Sequence, residues 1–165
     1  MDIHVSAAGE FRFGGQNFRC ALGRSGIARD KREGDGATPA GSFPLRRVLY
    51  RPDRLAPPQC ALALAAIAPE DGWCDDPAQP AYNRQVRLPF AGRHELLWRE
   101  DEVYDLILVI GHNDDPPHPG RGSAIFLHLA RADYAPTEGC VSLRLPDLLQ
   151  VLKGVDAASR IRISA

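Results

Sequence analysis

Apolar and polar residues alternate near both ends of the chain. Phe11-Arg12-Phe13 and Phe18-Arg19-Cys20 flank Gly14-Gly15-Gln16-Asn17, and Arg160-Ile161-Arg162-Ile163 stands immediately before Ser164-Ala165. A period of two sends successive side chains to opposite faces, so these runs predict half-buried strands, the first two joined as a hairpin across the glycines. Ser42 to Tyr50 predicts another strand, and Leu62 to Ile67 is short enough to suit a buried strand better than a helix. Tyr104 to Ile110 is the most apolar run and predicts a central strand, followed by one over Ser123 to His128. Helical spacing occurs in Pro146-Asp147-Leu148-Leu149-Gln150-Val151-Leu152, with proline where a first turn tolerates it. Between these elements lie an exposed polar loop over Arg24 to Thr38, a Pro-rich connection at 51–60, a loop-rich insert at 69–94 and a His-, Pro- and Asp-rich loop at 111–122. Loops of such length usually serve as lids or binding loops. The pattern is that of a mainly β protein.

Composition narrows the function classes. A chain of 165 residues, 44% hydrophobic and 25% charged, is expected to fold as a single domain, 1–165. Its net charge of −1 gives no reason to expect nucleic acid as a partner. No stretch approaches the roughly 18 to 20 apolar residues of a transmembrane segment. The start, MDIHVSAAGEF, shows no basic region followed by an apolar one, so no signal peptide is visible. With 15 glycines and 14 prolines, short strands and ordered loops are favoured over a helix bundle. The four cysteines, at 20, 60, 74 and 140, are widely spaced and include no C-x-x-C, which argues against a zinc ribbon or a thioredoxin-type pair. Cys20, Cys60 and Cys74 read as small buried hydrophobes.

Cys140 differs because of its neighbours. The strand ending in His128 is followed, after eight residues, by Thr137-Glu138-Gly139-Cys140-Val141-Ser142, read as a turn leading into the helix, with Cys140 twelve positions beyond His128. A thiol becomes a strong nucleophile when an imidazole takes its proton and holds the thiolate as an ion pair. Gly139 lets the backbone turn sharply, leaving the sulfur open and the amides around Gly139 and Cys140 free to face an oxyanion.

With these residues the sequence resembles the L,D-transpeptidase catalytic domain family, called YkuD-like. The resemblance rests on three motifs in family order: His128 at a strand end, Thr137-x-Gly139-Cys140, and Thr38-Pro39-Ala40-Gly41-Ser42-Phe43 preceded by Glu33-Gly34-Asp35-Gly36. It extends from residue 20 to about 152 and looks like a short proteobacterial branch. It implies a mainly antiparallel β-sandwich or partly closed barrel with one or two packed helices. The implied activity is formation of peptidoglycan stem-peptide crosslinks through a Cys140 thioester with His128 as base. Crosslinks joining two diaminopimelates and crosslinks joining L-alanine to diaminopimelate both stay open, as does acylation by carbapenems. Donor and acceptor stem peptides are the implied partners, the periplasm or cell envelope the implied location, and a monomer the expected state, with no cofactor and no metal. Three departures stand out. Glu138 occupies the place of the motif histidine, Val141-Ser142-Leu143 replaces the residues usual after the cysteine, and Leu129 must supply the carbonyl that orients His128.

Further candidates surround this pair. Thr38, Ser123, Thr137, Ser142 and His112 are expected to contact substrate, and Trp73, Tyr82 and Arg84 to line a stem-peptide groove, with Arg84 meeting a carboxylate. His112 and His118, in a loop with Asp114 and Asp115, invite a zinc reading together with His128 and Cys140, but His-x5-His is a weak ligand spacing and a metal on Cys140 would tie up the thiolate. Two alternatives remain: a carboxypeptidase or endopeptidase using the same pair with water, and a non-catalytic wall-binding module.

Overall fold

The computed structural model describes residues 1–165. Strands β1 (Ile3–Ser6), β2 (Glu10–Phe13) and β3 (Gln16–Arg19) form an N-terminal meander, and the short β4 (Ile27–Ala28) and β5 (Thr38–Pro39) pair with each other. The long β6 (Gly41–Tyr50) follows, then β7 (Ala63–Ala66), β8 (Asp71–Cys74), β9 (Gln85–Arg87) and β10 (His94–Leu96). The chain ends with β11 (Leu106–Ile110), β12 (Phe126–Leu129), β13 (Val141–Leu143), the helix α1 (Leu145–Gly154) and β14 (Arg160–Ser164).

Nine strands make one sheet in the order β13-β12-β11-β6-β14-β1-β2-β3, with β7 beside β6. Most pairings are antiparallel, but β1 with β14, β6 with β7 and β12 with β13 run parallel. The sheet curls until its two ends nearly meet. Just past β3, Ala21 exchanges both backbone hydrogen bonds with Ser142, at 3.0 Å each, and Gly23 bridges Thr137. The fold is thus mainly β and barrel-like, with one helix, and its seam closes beside Cys140.

The core has two layers because the central strands bury both faces. In β11, Leu106, Leu108 and Ile110 join the inner cluster against α1 and the N-terminal meander, while Ile107 and Val109 join a second cluster with Leu49, Trp73, Tyr104 and Phe126. The helix faces the inner cluster through Leu148, Val151 and Leu152, with Pro146 in its first turn and Lys153 in its last.

Local expectations fare unevenly. The hairpin turn is tighter than expected, only Gly14 and Gly15, both at positive φ as a two-residue turn requires. The 62–67 run is an exposed edge strand rather than a buried one; Leu62 and Ile67 are buried, but the four residues between them are exposed. The 69–94 insert is not plain loop, since β8, β9 and β10 form a separate three-stranded sheet over the second cluster. Cys140 leads first into β13, and the helix begins only at Leu145.

Candidate active site

The parallel register of β12 and β13 builds the site. Leu127 pairs with Val141 and His128 with Ser142, so the period of two puts Phe126, His128, Cys140 and Ser142 on one face. Leu127, Leu129, Val141 and Leu143 turn the other way into the inner cluster. Cys140 is therefore the diagonal neighbour of His128, one pleat below Ser142. All three line a cleft of about 740 Å³, together with Ser123, Glu33 and Glu95.

The turn before Cys140 is held from three sides. The Thr137 hydroxyl donates to the Cys140 carbonyl at 2.6 Å and accepts the Gly139 N–H at 3.1 Å. Gly139 has φ +141°, and a Cβ there would lie 2.8 Å from the Ala37 carbonyl oxygen, so only glycine fits. Beneath it, the fully buried Thr38 accepts the Gly23 N–H at 2.9 Å. The Gly139 amide is thus committed to Thr137, whereas the Cys140 amide has no acceptor within the protein. Of the two amides expected to face an oxyanion, Cys140's is the available one.

His128 Nδ1 lies 3.0 Å from the Leu129 carbonyl oxygen. A carbonyl only accepts, so Nδ1 carries the proton and Nε2 keeps the lone pair that a base needs. Leu129 therefore supplies the orienting carbonyl. Burial lowers the His128 pKa to about 4, so the ring is neutral at pH 7. Its folded pKa lies below the ordinary 6.5, so its contribution to stability is lost as pH falls from 6.5 towards 4.

The thiol is neutral too. Its S–H donates to the Ala124 carbonyl at 3.2 Å and its sulfur accepts the Phe126 N–H at 3.4 Å. Burial, followed by the charge of Glu95, pushes the Cys140 pKa up to about 12. Both shifts favour thiol and imidazole over a thiolate–imidazolium pair in the resting site. Burial in low dielectric penalises both charges. Iodoacetamide should alkylate Cys140 slowly at pH 7, far slower than the half-exposed Cys60, with a rate rising about tenfold per pH unit to pH 10. Peptide mass mapping checks this, and a fast, flat profile between pH 6 and 8 would establish a preformed ion pair instead.

The remaining candidates separate into those the cleft contains and those it does not. Ser123 is in the cleft, its hydroxyl donating to Glu33 at 2.6 Å. Ser142 is also there, with its hydroxyl buried and unpartnered. Tyr82 stands behind Glu33, donating to it at 2.6 Å and accepting the Gly122 N–H at 3.0 Å. Thr137 lines the cleft while clasping the turn, but Thr38 is fully buried and does not line it. Trp73 and Arg84 line a different cleft of about 640 Å³ with Arg46 and Arg47. His112 packs edge-on against Phe43 at 5.3 Å, outside the Cys140 cleft. Glu138 lies at the rim, paired with Arg24 at 3.0 Å. No group of three or more His, Cys, Asp or Glu side chains is placed to hold a metal ion.

Sequence reading missed the clamp under this site. Asn83, buried at φ 57°, accepts the Trp73 indole N–H and the Ala124 N–H at 3.0 Å each, and donates to the carbonyls of His112 (3.0 Å) and Asn113 (2.7 Å). It ties the insert to the two loops beside the thiol. The only available signal was asparagine's tolerance of positive φ. Glu95 and Tyr104 were missed as well.

A family model, the L,D-transpeptidase catalytic domain (YkuD), matches residues 8–163. The chain belongs to this family. As an L,D-transpeptidase domain it resembles solved structures at low identity. An L,D-transpeptidase from Mycobacterium tuberculosis H37Rv is 12% identical with a TM-score of 0.47, over 99% of this chain and 57% of that one. L,D-transpeptidase 3 from Mycobacterium tuberculosis is 13% identical with a TM-score of 0.48, over 99% and 60%. The helical cell shape determining protein Pgp2 from Campylobacter jejuni is 13% identical with a TM-score of 0.47, over 99% and 46%. The domain thus spans 46% to 60% of the length of these chains. No curated protein matches it. No helix in the domain is long and apolar enough to cross a membrane.

Proposed function

We propose that this domain is a peptidoglycan L,D-transpeptidase that crosslinks stem peptides through a Cys140 thioester. The observation that carries the reading is the shared face of β12 and β13, where a base-ready His128 and the Cys140 thiol open into one cleft. As a donor carbonyl enters, His128 Nε2 takes the thiol proton and the sulfur attacks. The Cys140 amide then stabilises the oxyanion, and the leaving amine departs with the proton from His128. Closure of the cleft by substrate excludes water, so charge separation is confined to the reacting complex. An acceptor amine resolves the thioester, giving either a 3-3 diaminopimelate crosslink or a 1-3 link from L-alanine. Such substrates place the working enzyme in the periplasm or cell envelope. The same thioester chemistry extends to carbapenems.

Incubating the domain with disaccharide-tetrapeptide and weighing the products tests this. Crosslinked dimers are expected. Trimmed monomers alone would mean that water is the acceptor and the enzyme is an L,D-peptidase, and no turnover with retained wall affinity would leave a binding module.

A further inference from the structure

The charges lining the Cys140 cleft are unevenly satisfied. Every basic side chain there already has a carboxylate: Lys31 pairs with Asp35, Arg93 with Asp75, and both Arg99 and Arg131 with Asp101. Two lining carboxylates, Glu33 and Glu95, make no salt bridge, although Arg99 is near enough to Glu95 to lower its pKa somewhat. Glu33 is held by two hydroxyls, those of Tyr82 and Ser123. Glu95, on the edge strand β10, receives a single side-chain hydrogen bond, from the Tyr104 hydroxyl at 3.0 Å on Oε1. The Tyr104 ring in turn packs edge-on against the His128 ring, at 5.4 Å between centroids, and belongs to the same buried cluster as Cys140. A carboxylate with no ion-pair partner thus lines the same cleft as the reacting pair.

We infer that Glu95 is the acceptor-amine residue of this site, binding the ammonium of the incoming acceptor and taking its proton. This rests on the acyl-transfer reading above. An ammonium cannot attack, so one proton must leave before the carbon–nitrogen bond forms, and Glu95 accepts it. The free amine then adds to the thioester carbonyl, the carbon–sulfur bond breaks, and the second amine proton passes through His128 to the departing thiolate. Thiol and imidazole are regenerated, and Glu95 returns its proton to water. Burial, which raises the Glu95 pKa to about 7, suits a carboxylate that must both gain and lose a proton near neutrality. The same charge adds to the burial that pushes the Cys140 thiol upward.

Glu95→Gln keeps the Tyr104 contact and removes the charge. In that variant, acylation of Cys140 by tetrapeptide donor, followed by intact mass, should match the wild type or exceed it. Aminolysis of the acyl-enzyme by a primary amine (acetyl-lysine amide) should fall at least about tenfold, with hydrolysis unchanged. A separate titration of acetyl-lysine amide into the Cys140→Ala protein should show affinity lost by a similar factor when Glu95→Gln is added. Unchanged affinity, or acylation falling in step with aminolysis, overturns the assignment. Failure of the wild type to acylate instead overturns the acyl-transfer reading, while the titration still decides whether Glu95 binds ammonium.

Discussion

Replacing Cys140 with alanine is expected to reduce thioester formation and crosslinking to background while leaving the fold intact. No other thiol can substitute. Cys20 is packed in the inner cluster and Cys74 is buried within the insert's own sheet, while Cys60 lines no part of the cleft. The alanine loses two weak sulfur hydrogen bonds, to Ala124 and Phe126, so the stability cost should be about 1 kcal/mol, or a fall in Tm of roughly 2–4 °C. Intact mass with a donor substrate and a thermal melt separate the two effects. His128→Ala should be milder, by the roughly 10²- to 10⁴-fold that a positioned base contributes. Turnover surviving in Cys140→Ala would remove the nucleophile from the mechanism altogether.

The largest structural effect is expected from Asn83→Ala. Four groups lose a partner at once: the Trp73 indole, the Ala124 amide, and the His112 and Asn113 carbonyls. Leaving buried donors and acceptors unpaired costs more than the hydrogen bonds themselves contribute, and alanine also tolerates φ 57° less well than asparagine. A loss of about 3 kcal/mol is expected, equivalent to roughly 6–12 °C in Tm for a domain of this size. Activity should fall further than stability alone explains, because Ala124 holds the thiol through its carbonyl and Asn83 through its amide. Thermal denaturation alongside acylation of Cys140, measured well below Tm, distinguishes the two contributions. An Asn83→Ala protein that melts with the wild type would show that the insert is held by Trp73 packing alone.

Local pattern determined much of this protein. The alternation in Phe11-Arg12-Phe13, the apolar run of Leu106–Ile110 and the spacing of Leu148, Val151 and Leu152 each depend on one element meeting one buried surface, and a short stretch of sequence carries that information. That Cys140 and His128 would share one site was legible for a similar reason. Gly139 before Cys140 and a histidine at a strand end are local requirements of backbone conformation and proton transfer. The loop-rich reading of 69–94 failed where three short strands are stabilised by packing on Trp73 and Phe126 rather than by their own periodicity.

What tertiary structure alone decided was which residues share the cleft. Trp73 and Arg84 went to another cleft, Thr38 went beneath the turn, and Glu95 entered from an edge strand whose sequence, His94-Glu95-Leu96, carries no functional mark. The protonation state of the pair was likewise beyond the sequence. A pKa depends on burial and on charges brought together from distant positions, and Glu95 and Cys140 become neighbours only after the insert folds over the barrel.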